Sequence, residues 1–262
     1  MTPTGVVLDL DGVLLAAGAP IPGAVDAVRA LQAAGRPCAV LTNMTSARPA
    51  DISARLAEVG IDLPAERIVT AAVATAQVLR RSYPDARILL VAERGSEPEF
   101  AGCRLVTGPP ADLVVVSGPD ESWTFSLLDE ALRALLGGAR LIAMQGNAWW
   151  LSADGARLDS GSYVHALAHA SGARPRVIGK PSAAIFRSAC RALGLPPAAC
   201  VMVGDDLRSD VLAAQRAGLR GVLVRTGKGA SFAGDPRAAQ AAAILDSMAD
   251  FPDWLAALSR GA

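Results

Sequence analysis

The 262-residue sequence is poor in the residues that mark several functional classes. Aromatic side chains make up only 4% of it, too few for the stacking platform on which single-stranded nucleic acid binds. Neither sign of charge is in excess. There are 25 Lys and Arg against 25 Asp and Glu, a net charge of +0. Chains that bind polyanions normally carry a basic surplus, so composition argues against a nucleic-acid partner. No apolar run reaches the ~18 residues of a transmembrane helix. The opening MTPTGVVLDL has no basic stretch and soon meets Asp9 and Asp11, unlike a signal peptide. The expectation is a cytoplasmic chain with no membrane partner. The four cysteines, Cys38, Cys103, Cys190 and Cys200, are scattered and form no CxxC pair. They read as reduced, buried thiols rather than as a disulfide framework or a zinc site. No dinucleotide GxGxxG occurs, and Gly227-Lys228-Gly229 lacks the flanking residues of a phosphate-binding loop.

What the chain does have is apolar material: 52% hydrophobic residues and 19% charged ones, enough for a sizeable core and too little charge for disorder. Val6–Leu10 is a short apolar run ending in an acidic turn, as a buried parallel strand does. Pro22-Gly23 opens a helix that runs to Ala34 and stops at Gly35. A strand at Cys38–Leu41, a helix at Ala50–Val59 and a strand at Arg67–Val69 follow. The far end repeats this grammar. Helices are predicted at Ala183–Leu193 and Asp210–Ala217, strands at Cys200–Val203, Gly221–Val224 and Ile244-Leu245, and a closing helix at Met248–Leu258. Alternating strands and helices predict an α/β fold with a doubly wound, Rossmann-like parallel sheet. The middle has material for a smaller α/β module: strands at Arg87–Val91, Leu113–Val116 and Leu141–Met144, helices at Ala71–Arg81, Phe125–Leu136 and Tyr163–Ser171. The expected organisation is a discontinuous core, residues 1–75 and 175–262, with a module inserted at 76–174.

Ligands of open parallel sheets bind beyond the carboxyl ends of the strands. Three such positions stand out: Asp9-Leu10-Asp11-Gly12, Thr42-Asn43 and Gly204-Asp205-Asp206, with Lys180 just before a predicted helix. Carboxylates gathered on one rim repel one another unless a cation joins them, and oxygen-only ligands select a hard ion such as Mg²⁺. A lysine and a hydroxyl beside them suit the oxygens of a phosphoryl group. A carboxylate there can attack phosphorus and split hydrolysis into two easier steps.

These four motifs, in this order, resemble the haloacid dehalogenase superfamily: the DxDG signature at Asp9–Gly12, Thr42-Asn43, Gly179-Lys180-Pro181, and Gly204-Asp205-Asp206 followed by Asp210. The place of the inserted module, together with Val177–Pro181, Met202–Asp206 and Arg225-Thr226-Gly227-Lys228, is similar to the class IIA, NagD-like branch with its C2-type cap. Within that branch the chain looks closest to two groups of members. One is like haloacid dehalogenase-like hydrolase domain-containing protein 2. The other is like phospholysine phosphohistidine inorganic pyrophosphate phosphatase.

The resemblance implies a Mg²⁺-dependent phosphatase of small phosphorylated metabolites, acting through an aspartyl-phosphate. Asp9 is then nucleophile and metal ligand. Asp11 is general acid and base, and a metal ligand through its carbonyl. Asp205 is the third metal ligand, while Thr42, Asn43 and Lys180 hold the phosphoryl group. Asp206 and Asp210 are read as orienting metal-bound water or Lys180. The plainer alternative for Asp210 is a helix-start carboxylate favoured by the dipole. Homodimerisation through the cap is a further family expectation. Two other functions fit the same motifs: a non-catalytic phospho-ligand-binding or regulatory protein, and a phosphotransferase. The retained Asp11, where some relatives have Ser or Thr, favours hydrolysis. Gln145-Gly146-Asn147-Ala148 departs from the Thr-Asn-x-Asp stretch of many class IIA caps, so no substrate specificity carries over. His165 and His169 stand one helical turn apart without a third ligand and read as helix-face residues. Trp149-Trp150 reads equally as an entrance lining or as cap core or dimer surface.

Overall fold

A computed structural model describes residues 3–93, 95–120, 122–152 and 155–260 of the chain. In chain order the strands are β1 (Gly5–Asp9), β2 (Leu15–Ala16), β3 (Ala19–Pro20), β4 (Cys38–Thr42), β5 (Ile68–Thr70), β6 (Arg87–Val91), β7 (Arg104–Val106), β8 (Leu113–Val116), β9 (Arg140–Ala143), β10 (Trp149–Ser152), β11 (Gly155–Leu158), β12 (Arg176–Val177), β13 (Cys200–Gly204), β14 (Arg220–Val224) and β15 (Ala243–Leu245). The α-helices are α1 (Ala24–Ala33), α2 (Pro49–Glu58), α3 (Ala71–Ser82), α4 (Phe125–Leu136), α5 (Ser160–Ser171), α6 (Ala183–Leu193), α7 (Leu212–Arg216) and α8 (Phe251–Arg260).

The chain divides into two compact units, one of Met1–Thr42, Pro49–Val69 and Lys180–Ala262, the other of Asn43–Arg48 and Thr70–Gly179. The first carries a six-stranded sheet in the order β15-β14-β13-β1-β4-β5. Its centre, β1, pairs in parallel with β13 on one side and β4 on the other. All three strands are buried along their length, which is why they read as continuous apolar runs rather than as alternating ones. Chain-distant segments therefore meet: Leu8 is level with Val203, and Asp9 with Leu41. This register brings the carboxyl ends of β1, β4 and β13 to one rim, where the polar motifs begin.

The second unit carries its own five-stranded sheet, β12-β9-β8-β6-β7, with every pair parallel. Leu89, Val91, Val114, Val116, Leu141 and Ala143 form its core with Ala131, Ala134 and Leu135 of α4 and Val164 and Leu167 of α5. Two parallel sheets with crossover helices make the chain an α/β protein with a Rossmann-like core and a second α/β module, as the alternation of strands and helices predicts. No helix among the described residues is long and apolar enough to cross a membrane.

Several elements differ from the sequence expectation. The β10–β11 hairpin and the short β7 lie where no strand is predicted. Trp149 of this hairpin is 61% exposed, so it is not core; the side chain of Trp150 lies outside the described residues. The predicted helix at Asp210–Ala217 begins instead with a wide π-type turn at Leu207–Val211, and the predicted closing helix starts with a 3₁₀ turn at Met248–Asp250. His165 and His169 are exposed on α5, and among the described residues no ligand cluster includes them. The cysteines are free, with Cys38, Cys190 and Cys200 buried.

Candidate active site

The carboxyl rim of the six-stranded sheet gathers charge that solvent barely reaches. Asp9 ends β1 and is 6% exposed; Asp205, one residue past β13, is 4% exposed; Asp210 is completely buried. One carboxylate oxygen from each lies within 4.8 Å of the other two. Lys180, 7% exposed, stands before α6 with its Nζ 2.8 Å from Asp9 Oδ1 and 2.8 Å from Asp210 Oδ1. A single buried ammonium thus faces three buried carboxylates. Isolated buried charge costs many kcal/mol unless it is paired or holds a metal.

Local structure explains why Asp210 returns to this rim. Asp206 caps the wide turn, accepting hydrogen bonds from the amides of Arg208 and Ser209 at 2.9 and 3.0 Å. The Asp206 amide itself donates to Asp210 Oδ2 at 3.1 Å. The turn packs against the end of β13 at Gly204, where an added Cβ would lie 2.2 Å from that of Asp210. Gly204 is therefore the opening through which the Asp210 side chain passes.

Burial sets the proton affinities. It pushes Asp9 up; the Lys180 charge opposes this without overcoming it, and Asp205 adds to the rise. Asp210 is pushed up to about 7 by burial, helped by the Asp9 charge and opposed by Lys180. Asp205 rises to about 6 for the same first reason, although the Lys228 amide works against the shift. Burial works against protonated Lys180, but the Asp210 and Asp9 charges outweigh it and its affinity rises. Asp206 differs: burial raises it, but the amides of Ser209 and Arg208 and the Lys228 charge outweigh burial and hold it below the ordinary carboxylate range.

The remaining predicted residues are placed as follows. Thr42 ends β4 and is buried. The Asp11 side chain is exposed, two residues past Asp9. Asn43 opens the second unit, where its Oδ1 would lie 2.7 Å from a Cβ at Gly179. The side chains that converge are therefore Asp9, Asp205, Asp210 and Lys180. Sequence reasoning did not identify the backbone amide of Lys228, which donates to Asp205 Oδ2 at 2.8 Å. Its signal was the Arg225-Thr226-Gly227-Lys228 stretch, similar to the class IIA branch but given no role at the site.

Three buried carboxylates with oxygen donors only suit a hard divalent cation, which would cancel the negative charge that Lys180 leaves over. Asp9 and Asp205 fit that group by chemistry and by spacing, with Asp210 in the same cluster but completely buried and paired with Lys180.

Comparison with known proteins gives this rim a context. The family described as haloacid dehalogenase-like hydrolase matches residues 6–105, and that described as HAD-hydrolase-like matches residues 177–251. Haloacid dehalogenase-like hydrolase domain-containing protein 2 of Bos taurus is 35% identical over 223 residues, covering 85% of this chain and 84% of its own. The dihydroxyacetone phosphatase of Corynebacterium glutamicum (strain R) is 37% identical over 221 residues, covering 84% and 80%. NagD from E. coli K-12 superposes with a TM-score of 0.85 at 30% identity over 95% of this chain and 98% of that one. With both family matches reaching into the segments that supply Asp9, Lys180, Asp205 and Asp210, and with relatives spanning nearly the whole chain, the protein belongs to the haloacid dehalogenase-like hydrolases, in their NagD-like branch.

Proposed function

We propose that the protein is a Mg²⁺-dependent phosphatase of small phosphorylated metabolites that works through an aspartyl-phosphate on Asp9. The observation that carries this reading is the buried trio Asp9, Asp205 and Asp210 with Lys180 between two of its members.

Asp9 is the nucleophile. The Leu10 amide and Lys180 Nζ both donate to its Oδ1, each at 2.8 Å, while Oδ2 meets no donor among the described residues. One oxygen is thus anchored and the other attacks phosphorus. The Lys180 ammonium holds Asp9 in its attacking orientation and places fixed positive charge beside the transferring group, where charge builds in the transition state. Thr42 and Asn43 supply polar groups for the phosphoryl oxygens. The exposed Asp11 carboxyl protonates the leaving oxygen and then takes a proton from the attacking water. Asp205, with Asp9 and the Asp11 carbonyl, would hold Mg²⁺; Asp210 fixes Lys180. When bound, the ion supplies charge neutralisation that lets an anionic phosphate approach an anionic carboxylate.

The test is turnover of p-nitrophenyl phosphate with and without Mg²⁺, in the wild-type chain and in Asp9→Asn. Mg²⁺-dependent release of p-nitrophenol that the substitution abolishes is expected. Turnover that survives Asp9→Asn overturns the nucleophile assignment.

A further inference from the structure

The loop after β14 clasps Asp205 in a way that catalysis alone does not require. The Lys228 amide donates to Asp205 Oδ2 at 2.8 Å. Thr226 Oγ1 donates to the Gly12 carbonyl at 2.6 Å, tying this loop to the turn that follows Asp11. Between the two, Gly227 has φ +56°, and a Cβ there would lie 2.1 Å from Asp205 Oδ2 and 2.7 Å from the Gly12 Cα. Gly12, at φ +86°, faces the same oxygen from the other side, and its Cβ would also lie 2.1 Å away. Two bare backbones from opposite ends of the chain thus enclose one carboxylate oxygen. Gly229 keeps the loop tight, because a Cβ there would lie 1.8 Å from the Val224 carbonyl oxygen.

We infer that the Thr226–Lys228 loop is a positioning element for the cation site: it pins Asp205 Oδ2 so that Oδ1 alone is presented toward Asp9 and Asp210. The inference rests on the metal reading above and extends it to residues that touch neither substrate nor ion. A ligating carboxylate whose second oxygen is held by a fixed donor pays less ordering entropy on binding, and loss of such support typically lowers metal affinity about 10–100-fold. The small residue at 227 follows from the close approach as much as from the backbone angle, since any side chain would enter the space of Asp205.

The experiment is calorimetric titration of metal-free full-length chain with Mg²⁺, with the fold checked by circular dichroism. Gly227→Ala is expected to weaken Mg²⁺ binding by about 10–100-fold. Thr226→Val, which removes the tie to Gly12 without adding bulk, is expected to weaken it less. Gly35→Ala controls for backbone strain, because Gly35 is also left-handed, at φ +67°, with nothing within 4 Å of an added Cβ; its affinity is expected to equal that of wild type. Should Gly227→Ala fail to fold, Thr226→Val decides. Wild-type affinity in both loop variants, or equal weakening by Gly35→Ala, overturns the role of the loop. Absence of Mg²⁺ binding by the wild-type chain overturns the metal reading instead.

Discussion

Replacing Lys180 by Met tests the charge arithmetic of the site most directly. Met keeps most of the unbranched stem and deletes the ammonium. Its two partners sit at 2.8 Å, and their side chains are 9% and 0% exposed. At an effective dielectric of about 20, each attraction amounts to about 6 kcal/mol, opposed by a desolvation penalty of several kcal/mol per ion. Removing one partner of a buried pair typically costs about 3–5 kcal/mol, because the surviving charge is left uncompensated. Here two survive, so the upper part of that range is expected in metal-free protein at pH 8. The sign with pH follows from linkage. Asp9 and Asp210 already bind protons more tightly folded than unfolded, and losing the lysine strengthens that preference. Stability of the variant therefore rises as pH falls toward 5, where protonation removes the repulsion. Equilibrium urea unfolding in EDTA at pH 8 and pH 5 measures both quantities. A loss below about 1 kcal/mol at pH 8, or an equal loss at both values, refutes the argument that Lys180 compensates buried charge.

The other predictions draw on the same site. Asp11→Asn should lower kcat by about 10²–10⁴-fold without weakening Mg²⁺ binding through the backbone carbonyl; a wild-type rate contradicts its acid–base role. In wild-type metal-free protein, Asp205 near 6 and Asp210 near 7 both lie above the ordinary carboxylate value. Their contribution is fully present below the ordinary value of 3.8 and is lost progressively as pH rises from there, complete near 6 for Asp205 and near 7 for Asp210. For Asp205 alone this is on the order of 3 kcal/mol. Urea midpoints from pH 5 to 8 should fall with pH in EDTA and flatten in saturating Mg²⁺; a rise in EDTA counts against the shifts. Burial pushes the Cys38 thiol up to about 12, so iodoacetamide at pH 8 should label it in unfolded but not in native protein, as peptide mass mapping will record.

Much of this architecture was legible because buried parallel strands leave a strong trace. The strands Gly5–Asp9, Cys38–Thr42 and Cys200–Gly204 are built on apolar runs that give way to polar residues at Asp9, Thr42 and Asp205. A reader who knows that ligands gather at carboxyl ends is led at once to Asp9, Thr42 and Asp205. The β10–β11 hairpin left no such trace. Its residues from 155 onward are largely exposed, so no burial pattern marks them. The wide turn at Leu207–Val211 was also hidden, since the predicted helix begins only at Asp210 and nothing in residues 207–209 marks a turn of that width.

Asp210 shows why the assignment of roles is harder than the location of the site. From the sequence it is read as orienting metal-bound water or Lys180, with a solvent-facing helix-start carboxylate, favoured by the helix dipole, as the plainer alternative. In the folded chain it has no exposure and shares Lys180 with Asp9. The difference arises from Gly204, whose missing side chain admits Asp210, and from the extra residue in the turn, which swings it inward. Asp11 moves the opposite way: the motif places it beside the nucleophile, yet its side chain faces solvent. For Asp210 the local turn and Gly204 supply the way in, while Asp9 and Lys180, from other segments of the chain, form the ion-paired cluster it meets there. The zero net charge of the chain conceals this arrangement: its acids and bases balance overall, while the rim of the sheet retains a buried excess of negative charge that a divalent cation is suited to cancel.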